Sequence, residues 1–260
     1  MFRSIVCLIV FLVLIGCALP TRAQRVPTPA TLACSYFFIS GNNNTYLNYC
    51  VTANGNIAQL QTPLGENYFS MGEGYGLCNE SPAVEYYDYA YEDSGNWNSA
   101  TLVSQTATSV QIARTTNDGN WTLTQTITQV AATSSIKIAM KLKNNTSTSR
   151  VAYLIRYSAL SPRGGGQLYF SATQNSSFTW WAQVGQPGQL FGLMLQTVGT
   201  PPSSYSNGFA QNTFDGPNAC AFAFNSPGGA FQGVGSSLMA YVVSVPANKS
   251  KTFTVSYKGM

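Results

Sequence analysis

The sequence predicts an all-β protein: a large antiparallel β-sandwich, folded as a single domain. Three observations predict it. Ile136-Lys137-Ile138-Ala139-Met140-Lys141-Leu142-Lys143 alternates apolar and polar side chains with a period of two, the pattern of a strand with one face in a core and one in water. Similar short segments, separated by Gly-, Asn- and Pro-rich turns, recur at roughly the 8–12-residue spacing of sandwiches and barrels. No segment past the N-terminal leader has helical periodicity, and no short repeat implies a propeller or solenoid.

Taken in order, the chain of 260 residues opens with Arg3 and an apolar run from Ile5 to Ile15. That run is shorter than the roughly 20 residues needed to span a bilayer and reads as an export signal. Thr21-Arg22-Ala23 predicts cleavage after Ala23. Leu14-Ile15-Gly16-Cys17 resembles a lipobox, and lipid anchoring at Cys17 is the alternative. The expected organisation is a signal at 1–23, a flexible lead-in at 24–31 and one β domain over 32–260. No transmembrane segment is expected in the mature chain, and the predicted location is secreted or extracytoplasmic.

Ser35–Ser40 and Tyr46–Ala53 read as a hairpin, Asn54-Gly55-Asn56 as a turn, Ile57–Gln61 as a short strand and Pro63-Leu64-Gly65-Glu66 as another turn. From Asn67 to Trp97 the alternation weakens, glycine recurs at 72, 74, 76 and 95, and one or two short strands between long loops are expected. A meander follows: Thr101–Thr106, Ser109–Thr115, the turn Asn117-Asp118-Gly119-Asn120, Trp121–Val130 with its threonine row, the strand at 136–143 and Val151–Tyr157. Arg163-Gly164-Gly165-Gly166 is a flexible loop without the features of a phosphate cradle. Further strands are expected at Gln167–Ala172, Ser177–Trp181, Leu190–Thr197, Met239–Val245 and Lys251–Tyr257, with a long loop over Gly199–Gly216.

Composition narrows the partners. Only 8% of residues are charged and the net charge is +4, with no dense basic run, so nucleic acid is excluded as an expected partner. Lys137, Lys141 and Lys143 read as a solvated face that discourages edge pairing. Outside the leader the cysteines are Cys34, Cys50, Cys78 and Cys220, an even number suited to an oxidising compartment. The expected pairs are Cys34–Cys50, closing an Asn-rich hairpin, and Cys78–Cys220. With no histidine and no C-x-x-C pair, a zinc site is not expected.

Seven of the nine acidic residues fall between Glu66 and Asp93, amid tyrosines. Sugars offer CH faces to aromatic rings and hydroxyls to carboxylates, so this stretch supplies the candidate ligand-binding residues Glu73, Tyr75, Tyr87, Asp88 and Trp97. Of Trp180-Trp181 one ring faces each side of its strand, and Trp181 joins the candidates. Arg156 joins them because, with Val151, Tyr153, Ile155 and Tyr157 inward, it would face out toward an acidic sugar. The absence of histidine excludes a Ser-His-Asp arrangement. No catalytic residue, cofactor or metal is assigned.

Val51-Thr52-Ala53-Asn54-Gly55-Asn56-Ile57 leading to Thr62-Pro63-Leu64-Gly65, the hairpin from Trp121 to Asn144-Asn145-Thr146, and the closing pair from Pro246 to Tyr257 together resemble the galactose-mutarotase-like super-sandwich group. The chain is also similar to secreted bacterial β-proteins. The resemblance implies the fold and a leaning toward carbohydrate. The group's catalytic histidines have no counterpart here, so its active site is not carried over. The expected function is non-catalytic binding of a polysaccharide or another surface ligand. The alternatives are a polysaccharide-active enzyme, either a Tyr/Arg lyase or a two-carboxylate hydrolase, and a structural or adhesive envelope protein.

Overall fold

A computed structural model of the chain describes residues 33–42, 46–61, 67–90, 93–162, 168–173, 175–182, 190–199, 205–211, 219–220, 230–232 and 235–260. The export signal, Cys17, the lead-in to 31, the turn at 63–66 and the glycine loop at 164–166 lie outside them. The described residues form two antiparallel sheets and one short 3₁₀ turn, Ala131–Thr133. No helix among them is long and apolar enough to cross a membrane.

The first sheet contains β1 (Tyr36–Ser40), β2 (Leu47–Val51), β3 (Ile57–Gln61), β4 (Asn67–Asn79) and β5 (Val84–Asp88). The second begins with β6 (Thr101–Gln105), β7 (Ser109–Thr115), β8 (Trp121–Val130) and β9 (Ser135–Asn144). The chain then returns to the first sheet as β10 (Arg150–Pro162) and crosses again as β11 (Leu168–Ala172), β12 (Ser176–Ala182) and β13 (Leu190–Thr197). β14 (Tyr205–Gln211), β15 (Ala230–Gln232), β16 (Gly235–Val245) and β17 (Ser250–Gly259) complete it. The sheet orders are β1-β2-β3-β4-β10-β16-β14, with β5 also on β4, and β15-β11-β12-β13-β17-β9-β8-β7-β6.

The meander β6 to β9 follows the expectation. Ile136, Ile138, Met140 and Leu142 have no exposed surface, and each such side chain contributes about 1.5–3 kcal/mol on burial. They meet Leu47, Tyr49, Leu77, Leu154 and Val243 of the opposing sheet in one apolar core. β9 is not an edge strand. It pairs with β8 through Ile138↔Ile127 and with β17 through Ile138↔Val255, so its outward lysines do not serve as edge protection. Both expected disulfides, Cys34–Cys50 and Cys78–Cys220, are formed.

Two expectations are corrected. The stretch read as short strands between long loops opens with one 13-residue strand, β4, paired along nearly its whole length with β10, and continues in the short β5. Its alternation is hidden because the inward residues include Glu73, Tyr75 and Asn79, while the outward ones include Gly72, Gly74 and Gly76. Gly74 and Gly76 make room for the Asp88 backbone and the Tyr89 side chain on the outer face. A Cβ on Gly74 would sit 1.9 Å from the Asp88 carbonyl oxygen, and one on Gly76 would sit 2.4 Å from the Tyr89 hydroxyl. The second correction is β14, which lies within the expected loop 199–216. Its sequence has little apolar alternation, and its place is fixed by backbone pairing to β16.

Candidate functional site

The turn Asn54-Gly55-Asn56 forms as predicted, with Gly55 at φ +90°, a conformation that glycine adopts without steric cost. Its two asparagines point between the sheets. The Asn56 side-chain amide donates to the Glu73 carbonyl and to the Asp88 carbonyl and carboxylate, each at 3.0 Å. Asn54 donates to the other Asp88 oxygen at 2.9 Å. The turn therefore fixes the middle of β4, at Glu73, against the end of β5, at Asp88.

Two ion-paired arginines flank it. Arg114, on the inward face of β7, donates to Asp88 at 2.6 Å and to Asp93 at 3.0 Å. Its Nε–H reaches the Asn98 carbonyl at 3.0 Å, and its guanidinium lies 5.7 Å from the centre of the Trp97 ring. The Tyr75 hydroxyl accepts from Arg114 and donates to the Asn54 carbonyl at 3.0 Å. On the other side Arg156 of β10 is ion-paired with Glu73 and donates to the Gln125 side-chain carbonyl at 2.6 Å. The second Glu73 oxygen accepts the Ile57 N–H at 2.6 Å, and the Tyr257 hydroxyl donates to the first at 2.9 Å. The Gln125 amide, 3.5 Å from the Asn54 carbonyl, joins the two halves.

Low dielectric governs the protonation of this band. Burial pushes the Glu73 carboxyl up, against the opposing pull of Arg156, the Ile57 N–H and Tyr257. Burial alone would lower Arg156, but the Glu73 charge, together with Tyr257 and the hydrogen bonds to both, outweighs it and holds the guanidinium protonated. Tyr257 and Tyr75 are raised chiefly by burial, with Glu73 adding for the first and Asp88 for the second. Asp88 is raised by burial despite its hydrogen bonds and Arg114. A tyrosine held this far up is a poor proton acceptor at neutral pH.

The structure thus brings Glu73, Tyr75, Asp88 and Arg156 into one network and closes it to solvent. Arg156 is 0% exposed. The outward orientation expected for it is reversed, because both faces of β10 are covered. Leu154 and Arg156 face the opposing sheet, while Ile155 and Tyr157 pack in a second cluster with Tyr89, Ala219 and Leu238. Trp97 is buried beside Tyr75 and Tyr86. Trp181 is also buried, stacked on Phe191, and it is Trp180 that faces outward against Tyr169. Tyr87 keeps partial exposure on the outer face of the first sheet, stacked on Tyr89 at 5.1 Å. Gln125, Arg114, Asn54, Asn56 and Tyr257 were not singled out from the sequence. The signals available were a Gln breaking the Trp121/Leu123/Ile127 face and an Arg following Val110 and Ile112 on the apolar face. Among the described residues no group of three or more His, Cys, Asp or Glu side chains could hold a metal ion.

No family model and no curated protein matches the chain. Among solved structures it is similar to a bacterial glucoamylase complexed with acarbose, at 11% identity and a TM-score of 0.49, covering 88% of this chain and 33% of that one. It therefore spans about a third of the glucoamylase. It is also similar to a putative aldose 1-epimerase from Escherichia coli K12, at 11% identity and a TM-score of 0.44, covering 86% of this chain and 98% of that one. A galactose mutarotase related enzyme from Lactobacillus acidophilus matches at 5% identity and a TM-score of 0.46, covering 86% and 97%. The neighbours include members of the group that the sequence resembles. At these identities nothing about activity passes from them to this chain.

Proposed function

We propose that the protein is an exported, non-catalytic β-sandwich that binds carbohydrate at its surface. One observation carries the reading. The candidate carboxylates Glu73 and Asp88 are buried and ion-paired to Arg156 and Arg114, while Tyr87 of the same segment keeps partial exposure on the outer face. A two-carboxylate hydrolase needs both groups at a groove with room for substrate. A Tyr/Arg lyase needs a tyrosine lowered by its arginine, and burial drives Tyr257 the other way. The arrangement supports a rigid base carrying an aromatic contact.

Stacking a sugar on Tyr87, which is backed by the buried Tyr89 ring, uses CH–aromatic contact on a surface already ordered before binding. Asp93, Ser94 and Asn96 lie beside it, with the Ser94 hydroxyl accepting the Tyr87 N–H at 3.1 Å. The test is retention on a panel of immobilised polysaccharides, with assays for new reducing ends and unsaturated products. The expected result is retention without product, weakened by Tyr87→Ala. Product formation, or no retention on any polysaccharide, contradicts it.

A further inference from the structure

The outer face of the second sheet holds the lysines and the outward tryptophan that the site above does not use. Across β8, β9 and β17 the register places Thr124, Lys141 and Thr252 in one row, and Thr128, Lys137 and Ser256 in another. Lys143 and Lys258 belong to the same face, beside Thr122 and Met194 respectively. Lys137, Lys141 and Lys143 are exposed.

Charge there is one-sided. Among the described residues the three ion pairs all involve arginine, so no carboxylate neutralises these lysines. The described acids are held elsewhere. Glu73 and Asp88 lie between the sheets, Glu80 and Glu85 sit at the β4–β5 hairpin, and Asp93 is on Arg114. Asp118, at the β7–β8 turn, accepts the hydroxyl of Tyr86 from the other sheet.

The face also has an aromatic ledge. Tyr169 and Trp180, directly opposite on β11 and β12, stack with their planes 12° apart and their centres 6.3 Å apart. Both are partly exposed. Three strand spacings, about 14 Å, separate β12 from β9. Along the strands Trp180 is level with Gly192 and Met260, and the β17–β9 register then puts Lys137, Lys141 and Lys143 roughly 14, 27 and 34 Å further on. An aromatic ledge followed by rows of hydroxyls and by lysines with no carboxylate partner among the described residues matches an extended chain that offers CH faces, hydroxyls and regularly spaced anions together.

The geometry points to this face as a binding platform for a linear acidic polysaccharide, with a sugar ring on Tyr169/Trp180 and its carboxylates or sulfates on Lys137, Lys141, Lys143 and Lys258. A hydroxyl-rich sheet face beside stacking rings favours a polysaccharide over a nucleic-acid duplex or a lipid surface. The platform and Tyr87 are on outward faces of different sheets, so it stands whether or not Tyr87 holds sugar.

The test measures affinity of the full exported chain for polygalacturonate, with dextran as the neutral control, and with duplex DNA and phosphatidylglycerol vesicles as competing anions. The expected result is binding to polygalacturonate that weakens with added salt and no binding to dextran through this face. The Lys137→Gln/Lys141→Gln/Lys143→Gln variant, whose changes are all on exposed positions, is expected to lose about tenfold or more. Trp180→Ala should weaken binding without changing the salt dependence, and Tyr87→Ala should leave it intact. No binding to polygalacturonate, equal binding by the triple variant, or tighter binding to DNA or vesicles overturns the proposal. Loss on Tyr87→Ala without loss in the triple variant overturns it while leaving the Tyr87 reading standing.

Discussion

Replacing Arg156 by Met isolates what the buried network does. The substitution keeps an unbranched apolar side chain but removes the charge facing Glu73 and the donor to Gln125. Glu73, 2% exposed, then keeps only the Ile57 N–H and the Tyr257 hydroxyl. Removing one partner of a buried pair costs about 3–5 kcal/mol, because the remaining charge is neither solvated nor compensated. In a domain of this size each kcal/mol moves Tm by about 2–4 °C, so a fall of roughly 6–20 °C is expected. Arg156→Met/Glu73→Gln removes the stranded charge while the amide carbonyl still accepts from the Ile57 N–H and the amide NH2 donates to the Tyr257 hydroxyl oxygen. It should recover most of the loss. Thermal and urea unfolding of the wild type and both variants measure this. A single variant within about 1 kcal/mol of wild type, or a double variant no better than the single, refutes the reasoning.

Three further outcomes follow from the packing. Gly74→Ala puts a methyl group 1.9 Å from the Asp88 backbone oxygen, and should cost about 3 kcal/mol or more in urea unfolding. Gly119→Ala, at φ +74° with open space around it, should cost about 1 kcal/mol, and equal costs would contradict the close approach at Gly74. Burial pushes the Asp118 carboxyl up, but hydrogen bonds from Thr116, Tyr86 and Asn120 outweigh it and hold it below the usual range. Its stabilising effect is therefore present above the unfolded value near about pH 4 and is lost as pH falls through the lower folded one. Asp118→Asn should flatten the acid limb of Tm against pH, and an unchanged limb contradicts it. Cys78→Ser/Cys220→Ser opens a link between residues 142 apart and should lower stability by about 5 kcal/mol, read by urea unfolding under non-reducing conditions.

The fold was legible wherever one face met water. β8 and β9 alternate cleanly because the outer side of their sheet is solvated. β4 and β10 are covered on both faces, so alternation could not assign their sides, and Arg156 was placed outward when it lies between the sheets. Gly72, Gly74 and Gly76 looked like loop residues, yet all three lie in β4, and a Cβ on Gly74 or Gly76 would collide with Asp88 or Tyr89. At the candidate site the residue types were visible and their partners were not. Glu73 and Arg156 are 83 residues apart in the sequence, and only the β4–β10 register brings them together. The cysteine pairing was legible because four cysteines leave few choices, and the short pair closes an evident hairpin.

The most direct test compares wild type, Tyr87→Ala and Glu73→Gln for retention on the same polysaccharide panel, with released products assayed in parallel. The account predicts no product from any of the three, weakened retention for Tyr87→Ala, and unchanged retention for Glu73→Gln once it is shown to be folded. Product from the wild type that disappears in folded Glu73→Gln would contradict it.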